Sequence, residues 1–165
     1  MSVGVLFVCL GNICRSPTAH GVFQQLVNQR GLAQKIIVDS AGTGDWHIGR
    51  APDQRSTAAA LQRGYDLSEL RARQVTREDF SHFDYILAMD KENLRNLQQL
   101  RPASFSGELK LFLDYSRNSG SNTAEHREVP DPYYGDKDNF EHVIDLVENA
   151  AAGLLDAIVA HHRLG

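Results

Sequence analysis

Cysteine is scarce in this chain: two residues in 165, Cys9 and Cys14, five positions apart in one short stretch. So small a number excludes a disulfide-framed scaffold, and two thiols so close together point to chemistry more than to stapling. Positive charge is also short. Lys and Arg total 17 against 21 Asp and Glu, a formal net charge of -4 with an isoelectric point near 5.9. No basic field is available for nucleic acid or an anionic membrane, so any anion site has to be local. Long apolar runs are missing: none approaches the ~20 residues of a membrane-spanning helix. The first residues lack the basic, apolar and small-residue sections of a signal peptide, and a cytoplasmic location is expected. Repeats, low-complexity tracts and linkers are missing as well.

What remains is one globular domain over residues 1–165, with 42% hydrophobic and 23% charged residues. Short segments rich in β-branched and aromatic residues predict strands at VGVLFV (3–8), KIIVDS (35–40), DYILAM (84–89) and ELKLFL (108–113). Helical patterns lie between them. The first runs from Pro17 to about Arg30, with Val22, Phe23, Leu26 and Val27 on one face and Gly31 as its stop. A second covers 53–63 before Gly64, while Thr76 with Asp79, and Asp90 ahead of a run to Leu100, read as the starts of two more. Apolar residues from Phe140 to Ile158 fall at helical spacing in the C-terminal segment. Such alternation predicts an α/β fold: a four-stranded parallel sheet, right-handed crossovers and helices on both faces. Ligands of these sheets bind beyond the carboxyl ends of the strands, where Cys9 stands.

The stretch VCLGNICRSPT (8–18) carries a chemistry of its own. If the chain turns from strand to helix across Leu10, Gly11, Asn12, Ile13, Cys14 and Arg15, the loop amides and the first helical turn converge into an anion cradle. Gly11 is read as supplying a backbone angle closed to other residues, and Asn12 as tolerating the left-handed region. Pro17 suits the first helical position and Ser16 its cap. A Cys9 thiolate in that cradle is stabilised by the amides and the helix dipole and becomes a nucleophile at neutral pH. Arg15 offers a planar fork to two oxygens of a tetrahedral oxyanion, phosphate being the commonest. The bland alternative is a buried Cys9 and a surface Arg15; the setting of strand, glycine turn and Ser-Pro favours catalysis. No metal or cofactor is called for, since Cys9 and Cys14 lack two further ligands nearby. His47, His82, His126, His142, His161 and His162 show no ligand spacing either. Arg71, Arg73 and Arg77 read as a solvated face or as a buttress of the loop.

With this loop in place, the sequence resembles the low-molecular-weight protein tyrosine phosphatases over nearly its whole length. DSAGTGDWHIG (39–49), ARQVTREDF (72–80), FDYILAMDKENL (83–94) and VPDPYYG (129–135) share the likeness. The resemblance implies a Rossmann-like, phosphotyrosine-phosphatase-I-like fold and hydrolysis of phosphotyrosine and small aryl phosphates through a phosphocysteine. Cys9 would be the nucleophile, Arg15 the transition-state clamp and Asp131 the general acid and base. It further implies that Ser16 donates to the thiolate, that Asn12, Ser40 and Asp90 support the loop, and that Cys14 resolves an oxidised Cys9. Tyr133 and Tyr134 would wall the pocket, with Trp46 opposite. The implied partners are phosphotyrosine proteins and oxyanion inhibitors, with no nucleic acid or membrane, and a monomer is expected. Two positions depart from the family: Leu70 where a histidine commonly holds the loop asparagine, and His20 where a glutamate is common. The first leaves the support of Asn12 open; the second changes the local charge. Two rival functions are disfavoured. A thiol-dependent arsenate reductase needs cysteines downstream of Cys14, and there are none. A phosphate-binding module without activity would be expected to have lost Cys9, Arg15 or Asp131.

Overall fold

The computed structural model describes residues 2–117 and 127–164; His126 lies outside the described residues. Four strands, β1 (Val3–Cys9), β2 (Ile36–Gly42), β3 (Tyr85–Ala88) and β4 (Glu108–Leu111), alternate with helices α1 (Arg15–Gln29), α2 (Gln54–Gln62), α3 (Asp79–His82), α4 (Lys91–Leu100) and α5 (Lys137–His162). Every pairing is parallel, in the order β2-β1-β3-β4. The chain steps from β1 to one side, then returns to pair β3 on the other, so the crevice beyond the β1 and β3 carboxyl ends is the topological switch point.

Period-two alternation divides β1 between two cores. Val3, Val5, Phe7 and Cys9 join the cluster that includes α1 and α5, while Leu6 and Val8 join the smaller cluster with Phe80, Leu97 and Phe105. Phe7 meets Phe23 and Phe112 edge to face, with centroids 5.6 and 4.9 Å apart; such pairs contribute ~0.5–1.5 kcal/mol beyond area burial. Cys9 is therefore the last residue of a fully buried strand, on its more heavily packed face.

Several boundaries differ from the sequence reading for local reasons. Strand β4 stops at Leu111, and Phe112–Tyr115 form a 3₁₀ turn. Its pairing with β3 ends at Ala88 opposite Leu111, where β3 itself ends, so no ladder partner continues the strand. Helix α1 starts at Arg15, two residues before Pro17; Pro17 still lies in the first turn, where its missing N–H costs nothing. Asp79, not Thr76, is the accepting side chain at α3, taking the Thr76 N–H at 2.8 Å. Asp53 and Asp90 cap α2 and α4 with their side chains. At α5 Asp136 and Asn139 form a reciprocal capping box. Gly31 and Gly64 end α1 and α2 at φ 70° and 89°. No helix among the described residues is long and apolar enough to cross a membrane.

Candidate active site

The loop from Cys9 to Arg15 closes over the carboxyl end of β1. Asn12 takes the left-handed conformation at φ 57°, as its sequence position suggests. Gly11 does not have positive φ; its role is close approach, because a Cβ there would come 2.9 Å from His47 Cδ2. The expectation of a glycine-only backbone angle is corrected accordingly. Neighbouring segments pin the loop from outside: the N–H groups of Thr43, Gly44 and Asp53 donate to the carbonyls of Cys9, Leu10 and Ile13 at 2.9, 2.9 and 2.8 Å.

Cys9 is 3% exposed. Its Sγ lies 3.0 Å from Ser16 Oγ and accepts the Asn12 N–H at 3.3 Å. Ser16 is no helix cap, since α1 has no side-chain cap. Its oxygen accepts from Asn12 Nδ2 at 2.7 Å, and its hydroxyl hydrogen has two acceptors in reach, the Cys9 sulfur at 3.0 Å and the Ala41 carbonyl at 3.4 Å. Asn12 Oδ1 in turn accepts the Arg73 N–H at 3.0 Å. With the Ser16 hydroxyl turned to the shorter of its two contacts, donors run in one direction from Arg73 through Asn12 and Ser16 to Cys9, and chains of this kind polarise cooperatively. With Leu70 in the histidine position, the Arg73 backbone fills the support of Asn12. The Arg73 guanidinium binds Asp39 and Asp79 at 3.1 and 3.0 Å, so this arginine is a buttress, whereas Arg71 and Arg77 are exposed.

Arg15 is 3% exposed and is held from the β3 side. Nη1 donates to Asp90 Oδ2 at 2.6 Å and to the Val129 carbonyl at 3.1 Å. Asp90 Oδ1 also accepts the Asn93 N–H at 2.7 Å, so one carboxylate caps α4 and orients the arginine. Burial opposes the Arg15 charge, but Cys9, Asp90 and Asp131 outweigh it and raise its pKa above the usual arginine value. Asp131 Oδ2 is 3.7 Å from Arg15 Nη2, and its Oδ1 accepts the Tyr133 N–H at 3.0 Å. Asp131 is therefore both a turn former and a carboxylate at the cavity.

A cavity of about 360 Å³ opens above the loop. Cys9, Leu10, Gly11, Ile13, Cys14 and Arg15 form its floor and sides, and Asp131, Tyr133, Tyr134, Trp46 and His47 form its mouth. Trp46, Tyr133 and Tyr134 are 67, 37 and 95% exposed. Asn12, Ser16 and Asp90 stand behind this surface. Ser40 does not reach the loop by its described hydrogen bonds; its hydroxyl lies 3.0 Å from His20 Nδ1. Burial lowers the His20 pKa, partly offset by Asp39, so the residue in the glutamate position favours a neutral imidazole. Cys14 is a free buried thiol; burial pushes its pKa up to about 12, against a Ser56 hydrogen bond that lowers it. Sequence reading missed His47 and the Val129 carbonyl, and of the two alternatives it left for Arg73 the structure shows the buttress. Of the two missed groups only His47 carried a signal, its place beside Trp46. Among the described residues no group of three or more His, Cys, Asp and Glu is arranged to hold a metal ion.

Comparison with known proteins places these features in a wider group. Residues 4–164 match the family described as low molecular weight phosphotyrosine protein phosphatase. The low molecular weight protein-tyrosine-phosphatase YfkJ of Bacillus subtilis is 41% identical over 98% of this chain and 99% of its own, and its crystal structure superposes with a TM-score of 0.85. A protein tyrosine phosphatase from Entamoeba histolytica, solved with Hepes in the active site, is 37% identical over 98% of this chain and 99% of that one, with a TM-score of 0.88. Wzb of Vibrio vulnificus, solved in complex with benzylphosphonate, is 29% identical over 95 and 99% of the two chains, with a TM-score of 0.78.

Proposed function

Because the chain belongs to the low molecular weight phosphotyrosine protein phosphatases and is a hydrolase of that class, we propose that Cys9 attacks phosphotyrosine directly, Arg15 clamps the transferring group and Asp131 moves the proton. The observation that carries this reading is the Cys9 sulfur at the floor of the cavity, facing the Ser16 hydroxyl and the Asn12 amide. Hydrogen bonds donated to sulfur stabilise the anion that attacks and later departs, so the step needs no separate base.

In the first step the Sγ–P bond forms as the bond from phosphorus to the phenolic oxygen breaks. The loose transition state spreads charge over three equatorial oxygens. Loop amides and Arg15 meet that charge already in place, so no reorganisation is needed at the moment of reaction. Asp90 and the Val129 carbonyl occupy both hydrogens of Arg15 Nη1, which leaves Nε and Nη2 as the fork for the phosphoryl oxygens. Asp131, on the Arg15 Nη2 side, gives its proton to the departing phenolate. In the second step water attacks phosphorus, Asp131 takes the water's proton, the S–P bond breaks and phosphate leaves. Ser16 stabilises the thiolate that departs. The three aromatic side chains at the mouth favour an aryl phosphate, whose ring spans their depth. The Hepes and benzylphosphonate seen in two relatives support an oxyanion seat that also accepts an organic group.

Hydrolysis of 4-nitrophenyl phosphate in excess EDTA, with a burst of 4-nitrophenol, tests the proposal. Activity that survives Cys9→Ser, or that EDTA abolishes, overturns it.

A further inference from the structure

A second cavity of about 360 Å³ lies between α2 and α5, floored by Ala58, Ala59 and Phe140 and rimmed by Arg55, Gln62 and Lys137. The chemistry above makes no use of it. Arg55 joins it to the first: the guanidinium carbon sits 5.4 Å from the Tyr133 ring centre and 4.7 Å from that of Phe140. One wall of the reaction cavity thus continues into the rim of its neighbour. That wall is braced. Asp53 accepts from Arg55 Nε and Nη2 at 3.1 and 3.0 Å, caps α2, and donates its own N–H to the Ile13 carbonyl in the loop.

We propose that this second cavity is a subsite for the substrate polypeptide, seating an apolar side chain a few residues from the phosphotyrosine, with an adjacent substrate carboxylate meeting Lys137. The proposal rests on the phosphatase reading above. The Tyr133 and Phe140 rings on either side of Arg55 lie within about 10 Å of each other, and an extended peptide advances ~3.3–3.6 Å per residue, so roughly three residues cross from one cavity to the other. The floor is two alanine methyls and a buried aromatic ring, a surface that rewards an aliphatic side chain by removing apolar area from water. Charge selects the neighbouring residue. Asp53 answers Arg55, while Lys137 is the first residue of α5, where the helix macrodipole is positive and an added cation is unfavourable. The ammonium is the cation offered at this rim, since the helix-end N–H groups already have the Asp136 carboxylate. Asp136 and Asp138 lie on the same turn, but the Asp136 carboxylate is engaged by the N–H groups of Asp138 and Asn139.

The test compares 4-nitrophenyl phosphate, which reaches only the first cavity, with phosphotyrosyl peptides carrying Leu, Glu, Lys or Gly in turn at four positions on either side. The unmodified protein is expected to prefer Leu at one of these positions and Glu over Lys beside it, by about tenfold in kcat/KM. Ala58→Trp fills the cavity from an exposed position and should level the Leu preference; Lys137→Glu, at the exposed rim, should invert the Glu preference. The ratio of peptide to 4-nitrophenyl phosphate kcat/KM is read for each variant. No positional preference in the unmodified protein, or preferences unchanged in both variants, overturns the subsite. Failure to hydrolyse 4-nitrophenyl phosphate at all would overturn the phosphatase reading instead, so the two failures are distinguishable.

Discussion

Arg15 and Asp90 meet at 2.6 Å across 75 residues of chain. The arginine follows β1 and the aspartate follows β3, and the pairing of these strands brings both to one crevice. The same carboxylate caps α4, so the clamp's aim and the helix's start depend on one side chain.

Replacing that side chain should separate its two duties. Asp90→Ala leaves a buried guanidinium short of its counter-charge and removes a cap; the first loss costs about 3 kcal/mol of stability and the second about 1 kcal/mol. Asp90→Asn keeps an accepting oxygen for the cap and should be the milder in urea denaturation. Both should lower kcat, by roughly 10²-fold, because a clamp displaced by an ångström loses alignment with the transition state. Unchanged kcat in both variants would show that Arg15 needs no such partner.

Asp131 touches the reaction from the cavity mouth. Asp131→Asn should reduce kcat about 10²- to 10⁴-fold for phenyl phosphate, whose leaving group needs a proton, and less for 4-nitrophenyl phosphate. A thiolate and a neutral carboxyl group are required together, so the rate profile of the unmodified protein is expected to be bell-shaped. In the variant the limb that falls with rising pH should flatten. A profile of unaltered shape would assign the proton to another group.

Cys14 shares the cavity with Cys9 but not its setting. Burial holds its thiol up to about 12, with only Ser56 opposing, so at pH 7.5 iodoacetamide should label Cys9 alone, as intact-mass and peptide spectra will report. Under peroxide a Cys9 sulfenic acid and the Cys14 thiol can condense to a disulfide with loss of water. Cys14→Ser should then recover less activity on later addition of dithiothreitol than the unmodified protein does. Equal recovery would remove Cys14 from that role.

His20 predicts a pH effect on stability. In the unfolded chain it takes up a proton near pH 6.5, and in the folded chain at lower pH, because burial outweighs the attraction of Asp39. Between those two values the unfolded state binds more protons, so unfolding free energy falls as pH falls through the window and is unaffected above it. His20→Asn should lose this acid sensitivity between pH 7 and 5, measured as the shift of the urea midpoint. The same acid-induced shift in both proteins would place the sensitivity elsewhere.

The resemblance across the chain, the parallel fold with helices on both faces, and the loop from Cys9 to Ser16 were legible from residue types alone. Strands and helices announce themselves through periods of two and 3.6 residues, and caps through single side chains such as Asp53 and Asp90; these are local signals. So is the left-handed Asn12. The order β2-β1-β3-β4 carries no such signal, and the contacts resting on it stayed hidden: Asp90, expected only to support the loop, holds Arg15, the Arg73 amide takes the histidine's place on Asn12, and His47 lies on Gly11. The end of β4 was misread for the same reason, since it is set by where its partner β3 stops, at Ala88 opposite Leu111. A sequence states which groups can donate, accept or carry charge, but their meeting across tens of residues is decided by strand pairing and packing.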